Sequence, residues 1–260
     1  MKKFFSLLNL GSVIGIIYWN FLVATGFINS RDMAELSNKI DSLFTPASYA
    51  FSIWSIIYIL LFANAIWMVL KAFKKQEGET VMKVSIWLII ANLASGFWLY
   101  FWQTEQYFIS VVCMLAIFFA LMILIVKLDM EKWDAPASII GFVWWPISFY
   151  SGWITVATVT NITAYLKVIE FQWLFSEATW TILLIIVVTA VYLYMIASRS
   201  MREFAIVGVW AFIAIAFRHW DNIPSIAYTA AAGALILTIA ILAHGFKYRK
   251  QNPFFKMISK

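Results

Sequence analysis

Charge is what this sequence has least of. Only 12% of its 260 residues are Asp, Glu, Lys or Arg, while 63% are hydrophobic; an ordinary soluble domain carries about 25% charge. Too few polar side chains exist to cover a folded monomer in water, so most of the chain must face lipid. Disorder fails on the same composition. Cys113 is the single cysteine, which excludes a disulfide-stapled secreted module. The two histidines, His219 and His244, fall at the ends of apolar runs with no second ligand at helical spacing, a poor metal or haem site. No Asp, Glu, Lys or Arg lies near the middle of any long apolar run, which argues against an ion-coupled pump or a Schiff-base retinal protein. A phosphate-cradling glycine loop and a Ser-His-Asp arrangement are also missing, so no conventional enzyme constellation is in view. The net charge of +6 comes from bases in short loops and the tail, which fits juxtamembrane placement and not nucleic-acid binding.

Long apolar runs are what the sequence has. A transmembrane helix needs roughly 20 such residues. Stretches 8–28, 46–70, 81–102, 107–126, 137–165, 177–197, 203–218 and 224–246 meet or approach that length. The expected fold is therefore all-α, a polytopic membrane bundle of about eight transmembrane helices. The seventh stretch is short and bounded by Arg202-Glu203 and Arg218-His219. The fifth is long enough to tilt or kink, and Pro146 offers the kink point. The first follows Met1-Lys2-Lys3, but its apolar run is too long for a signal peptide and no Ala-x-Ala-like site follows, so it reads as a retained helix. Three parts result: 1–168 with five spans, 169–246 with three more, and a basic tail over 247–260.

Lys and Arg placement orients the chain. With the N-terminus inside, all but Arg31, Lys39, Lys167 and Arg218 of the 19 basic residues fall on the inner side. Both termini are then cytoplasmic, as an even number of spans requires, and an inner-membrane location is expected. The longest outer loop, Asn29 to Thr45, can fold over the outer mouth as a lid.

Aromatics supply the remaining signal: 14 Trp, 11 Tyr and 23 Phe. Trp98, Trp102, Trp144, Trp173, Trp180 and Trp220 read as members of interfacial belts, where an amphipathic ring sits at headgroup level. Two helices carry stripes better suited to a bundle interior. On the fifth, Tyr150, Trp153, Ala157, Thr160 and Ala164 share one face, with Asn161 beside it. On the second, Phe51, Trp54, Tyr58 and Ala65 share a face that begins at Ala47. At 1.5 Å per residue, Trp54 and Trp153 each lie roughly 12–18 Å below the outer ends of their helices, so they can meet. The third helix adds Asn92, Ser95 and Gly96. Small and polar residues of this kind also serve simply to pack helices together.

These residues resemble a family. The run Pro46-Ala47-Ser48-Tyr49-Ala50-Phe51-Ser52-Ile53-Trp54-Ser55-Ile56-Ile57-Tyr58 is similar to the start of the second helix in the TspO/MBR family, the tryptophan-rich sensory proteins whose animal members are called translocator protein or peripheral benzodiazepine receptor. Pro46, Phe51, Trp54 and Tyr58 match its pattern; Ala47 and Tyr49 replace a Pro and a Trp. On the fifth helix Tyr150-x-x-Trp153-x-x-x-Ala157-Thr158-x-x-Asn161 matches in identity and spacing. Asn92 matches on the third helix, where Ser95 stands in place of the family's Trp. The motifs cover about residues 8–165, a five-helix unit in the right order, so helices six to eight read as an extension of a divergent member.

The resemblance implies a pocket under the first outer loop, lined by Trp54, Tyr58, Asn92, Trp153 and Ala157, with Tyr150 and Asn161 on the same stripe and Pro46 and Tyr49 near the mouth. It implies a hydrophobic ligand such as a porphyrin, haem or a sterol-like lipid, no obligate cofactor, a regulatory or sensing role, and commonly a homodimer. Porphyrin propionates would need partners near the mouth, where Arg31 and Lys39 are the loop candidates. Three functions stay open: a tetrapyrrole or lipid sensor, a transporter or channel for a small neutral or amphipathic solute, and an enzyme that degrades porphyrin in light. In the eighth helix, Ala230-Ala231-Ala232-Gly233-Ala234 favours close packing, within the monomer or between copies.

Overall fold

The eight apolar runs become eight long helices in the computed structural model, which describes residues 1–27, 33–171 and 174–248. In chain order these are α1 (Lys2–Ala24), α3 (Ile53–Phe73) entered through a 3-10 turn at Ser48–Ser52, α4 (Gly78–Gln103), α5 (Tyr107–Lys127), α7 (Trp145–Val168), α8 (Glu177–Arg199), α9 (Arg202–His219) and α10 (Pro224–Lys247). A short helix, α2 (Met33–Ile40), lies in the first long loop, and α6 (Ala137–Ile139) with a π-helical turn at Ile140–Trp144 leads into α7. Among the described residues there is no strand. The chain is an integral, multi-pass helical bundle.

Among the described residues, seven of these helices are long and apolar enough to cross a membrane. The one left out is α9, the seventh sequence stretch, whose 18 residues include Arg202, Glu203 and Arg218 in the terminal turns. It packs against α7, α8 and α10 and buries Phe204, Ala205, Val207, Gly208, Ala211, Phe212, Ala214, Ile215 and Ala216. Helix α9 is largely enclosed, with Ile206, Ile213 and Phe217 its exposed side chains; where a helix meets side chains and not lipid, it can be shorter and less apolar than its neighbours.

The other enclosed helix is α7, and its start departs from a simple kink at Pro146. Proline has no amide to donate to the carbonyl four residues back, which is that of Phe142. The chain answers by widening to the π-helical turn just before Pro146. Asn64 of α3 then reaches across, and its Nδ2 donates to Phe142 O at 2.6 Å. The carbonyl that proline frees is thus satisfied by a neighbouring helix.

The seam between α7 and α9 is set by glycine. A Cβ on Gly152 would sit 2.6 Å from Phe204 O, so only a bare Cα allows the two backbones to approach. Tyr192 of α8 closes this junction: its hydroxyl donates to Gly152 O at 2.8 Å. Its ring fills the space beside Gly208, where a Cβ would fall 2.5 Å from a ring atom. In α10, Ala230, Gly233 and Ala234 are buried; Gly233 faces Thr189 of α8 and Phe212 of α9, so the small-residue run packs within the monomer.

Candidate functional site: an indole-lined cavity beneath the lid

At the end of the bundle where α4 finishes and α3 begins, four indoles converge on one cavity. Trp54 comes from α3, Trp98 and Trp102 from α4, and Trp153 from α7. Ala157, Thr160 and Asn161 continue the α7 wall, Pro46 and Phe51 stand at the start of the second span, and Met33 and Ser37 of α2 form the cover. The space is narrow, about 30 Å³, room for little more than a water molecule.

Rings fill the rest. Tyr58 stacks on Trp54 at 5.4 Å, Trp54 on Trp98 at 6.2 Å, and Trp98 on Trp102 at 6.3 Å. Tyr107 of α5 meets Trp102 edge-on at 5.4 Å. Side contacts join Tyr150 to Trp54 at 5.9 Å and Phe51 to Trp153 at 6.0 Å. All four indoles are nearly fully buried. The N–H of each of them lacks a hydrogen-bond partner among the described residues. Buried donors are normally paired. Four unpaired donors therefore stand around one cavity.

The family described as TSPO-like protein matches residues 6–243. The chain belongs to the TSPO-like family. The match runs through α8, α9 and most of α10. Among curated proteins and among solved structures, nothing matched.

Within this TSPO-like fold the sequence-derived residues divide. Trp54, Trp153, Ala157, Asn161 and Pro46 line the cavity. Tyr58 and Tyr150 stand directly behind Trp54; the Tyr150 hydroxyl points to Ala91 O at 3.5 Å. The amide of Asn161 is engaged with Ser110 Oγ at 3.2 Å. Asn92 lies elsewhere: its Nδ2 donates to Ser12 Oγ at 3.0 Å, turning it toward α1. Gly96 is on that same seam, where its carbonyl accepts from Trp19 Nε1 at 3.2 Å. Asn92 and Gly96 therefore join helices. Tyr49 lies outside the mouth too, edge-on to Trp210 and Phe217 of α9 at 5.3 and 5.9 Å.

Three tryptophans read from sequence as belt members are interior. Trp98 and Trp102 belong to the ladder, and Trp144 is 2% exposed. The signal was present in the spacing: Trp98 is one turn after Ser95, the position where the family motif has Trp, and Trp102 follows at i+4. The cavity thus has a ring on α4 one turn beyond Ser95. Trp220 is exposed as expected; Trp173 lies outside the described residues.

The lid is fastened on several sides. Lys39 pairs with Glu105 at 2.8 Å. Arg218 of α9 donates to Asn38 Oδ1 and Asp41 Oδ1, both at 2.8 Å. Leu43 is held twice, its N–H by Glu177 Oε1 at 3.0 Å and its carbonyl by His219 Nε2 at 2.9 Å. Ser42 donates to Thr163 at 3.0 Å, and Ala47 N–H to Ala214 O at 3.1 Å. Glu177, His219, Arg218 and Ala214 all come from α8 and α9. His219 is a lid fastener, and Lys39 already has a carboxylate partner. Arg31 lies outside the described residues.

Proposed function

We propose that this TSPO-like protein is a membrane sensor or regulator that binds a flat hydrophobic ligand carrying hydrogen-bond acceptors, a porphyrin or related tetrapyrrole before a sterol-like lipid. The supporting observation is the set of four buried, unpartnered indole N–H groups around one cavity. A buried donor left unmade costs about 1–3 kcal/mol, so a ligand presenting acceptors recovers what the closed site forgoes. Each well-placed ring adds about 0.5–1.5 kcal/mol beyond burial, and the ladder offers stacking faces in series. Ala157 keeps the α7 wall low. The narrow cavity means that a macrocycle must part the rings and lift α2. Binding is therefore coupled to lid movement, which is what a sensor requires.

Titrating purified protein with protoporphyrin should quench tryptophan emission. Trp54→Ala combined with Trp153→Ala should weaken binding about tenfold, equivalent to about 1.4 kcal/mol. Unchanged affinity in the double variant removes the site assignment. Solute flux in proteoliposomes would instead favour a transporter, and light-driven loss of porphyrin absorbance dependent on the same two indoles would favour an enzyme.

A further inference from the structure

A second cavity, of about 240 Å³, lies at the opposite end of the bundle from the lid. It is framed by the first turns of α4, the last turn of α5 and the start of the fifth span. Its inner wall is apolar, with Ile139, Val143 and Trp144; its rim carries Lys83, Lys127, Glu79 and Asp129. Trp133 completes it, meeting Trp144 at 90° with ring centroids 5.4 Å apart. The Trp133 indole is pinned by its N–H, which donates to Leu128 O at 3.2 Å, so its orientation is fixed.

The charges on this rim are balanced in sign. Glu79 and Lys83 pair with each other at 2.6 Å. That leaves Lys127, whose ammonium lies 5.9 Å from the Trp87 ring centroid, and Asp129, whose carboxylate has no ion-pair or hydrogen-bond partner among the described residues. One cation without a carboxylate partner and one unpaired carboxylate complement a zwitterion better than they complement an anion. The exposed Trp133 ring, set against Trp144, offers a face that attracts an ammonium group through cation–π attraction. The cavity sits where spans begin and end, at headgroup depth, and exposed Phe142, Ile123 and Val126 stand on the neighbouring helices where acyl chains would run.

We propose that this cavity binds the head group of a zwitterionic phospholipid, with the ammonium between Trp133, Trp144 and Asp129 and the phosphate toward Lys127 and Lys83. The site is independent of the ligand pocket beneath the lid. Asp129 and Trp133 select the head group's positive end; without them Lys127 and Lys83 would favour an anionic lipid.

Native mass spectrometry of the full-length protein in detergent tests this, with phosphatidylethanolamine, phosphatidylglycerol and free phosphoethanolamine as probes. Phosphatidylethanolamine adducts should exceed phosphatidylglycerol adducts, and free phosphoethanolamine should compete only weakly. Trp133→Ala and Asp129→Asn should each lower phosphatidylethanolamine occupancy about fivefold, the scale of one cation–π or charge contact. Trp133 is exposed, so its replacement should leave the fold intact. The Trp54→Ala variant should retain full occupancy. Equal or stronger phosphatidylglycerol binding in the unaltered protein, competition by free phosphoethanolamine at the lipid's own concentration, or unchanged occupancy in both variants would overturn the proposal.

Discussion

Asn64 shows how much one side chain can carry inside a membrane. Its amide occupies the Phe142 carbonyl that Pro146 leaves without an amide, and no water is at hand in the hydrocarbon to replace it. Asn64→Leu should lower stability by about 1–3 kcal/mol, the cost of an unsatisfied buried acceptor, read as a fall in Tm in detergent. Gly152 is the second such residue. Gly152→Ala puts a methyl 2.6 Å from a backbone oxygen, which cannot swing aside as a side chain could. A loss of about 1–3 kcal/mol is expected from overpacking, whereas Tyr192→Phe should cost only about 1 kcal/mol for its hydrogen bond. A milder effect for Gly152→Ala than for Tyr192→Phe would contradict the close approach of α7 and α9.

Elements add a pH dependence. Glu131 lies in the connection between α5 and α6, outside the spanning helices. Burial, then the neighbouring Glu203 carboxylate, raise its pKa from 4.5 to about 8 against the opposing pull of Arg202. The folded state therefore holds this proton more tightly than the unfolded chain. Its contribution to stability is complete below pH 4.5 and lost as pH rises through about 8. Thermal unfolding should show Tm declining across that interval, and Glu131→Gln should flatten the decline; identical slopes would mean that the carboxyl is ionised throughout. The helices also show what periodicity conveys. The stripe Tyr150, Trp153, Ala157 and Thr160 on α7 was readable because side chains at those spacings must share a face, and the structure turns that face to the cavity and the rings behind it. The same rule put Asn92 near Ser95 and Gly96, but it does not say which neighbour a face meets, and for Asn92 the neighbour is α1.

At the scale of the whole molecule, α8 and α9 hold the cover of a pocket they do not line. Fasteners from α8 and α9 hold the segment Asn38–Ala47 over the cavity. Exposed ion pairs contribute only about 0–1 kcal/mol each, so the lid is closed by several weak ties and not one strong one. Glu177→Gln with Arg218→Gln should speed porphyrin release several-fold, about 1 kcal/mol in the barrier, with little change in the spectrum of the bound porphyrin. Stopped-flow measurement of release checks it. An unaltered release rate would mean that the lid is not the barrier.

Composition alone determined that this chain is a multi-pass helical membrane protein, because a sequence so poor in charge has no other stable solvent. Helical spacing determined the aromatic faces of α3 and α7, since 3.6 residues per turn fixes them before any neighbour arrives. The assignment of Trp98, Trp102 and Trp144 to the interior was decided only in three dimensions. An indole suits a headgroup belt and a buried stack equally well, and which one it joins depends on the helix that packs beside it.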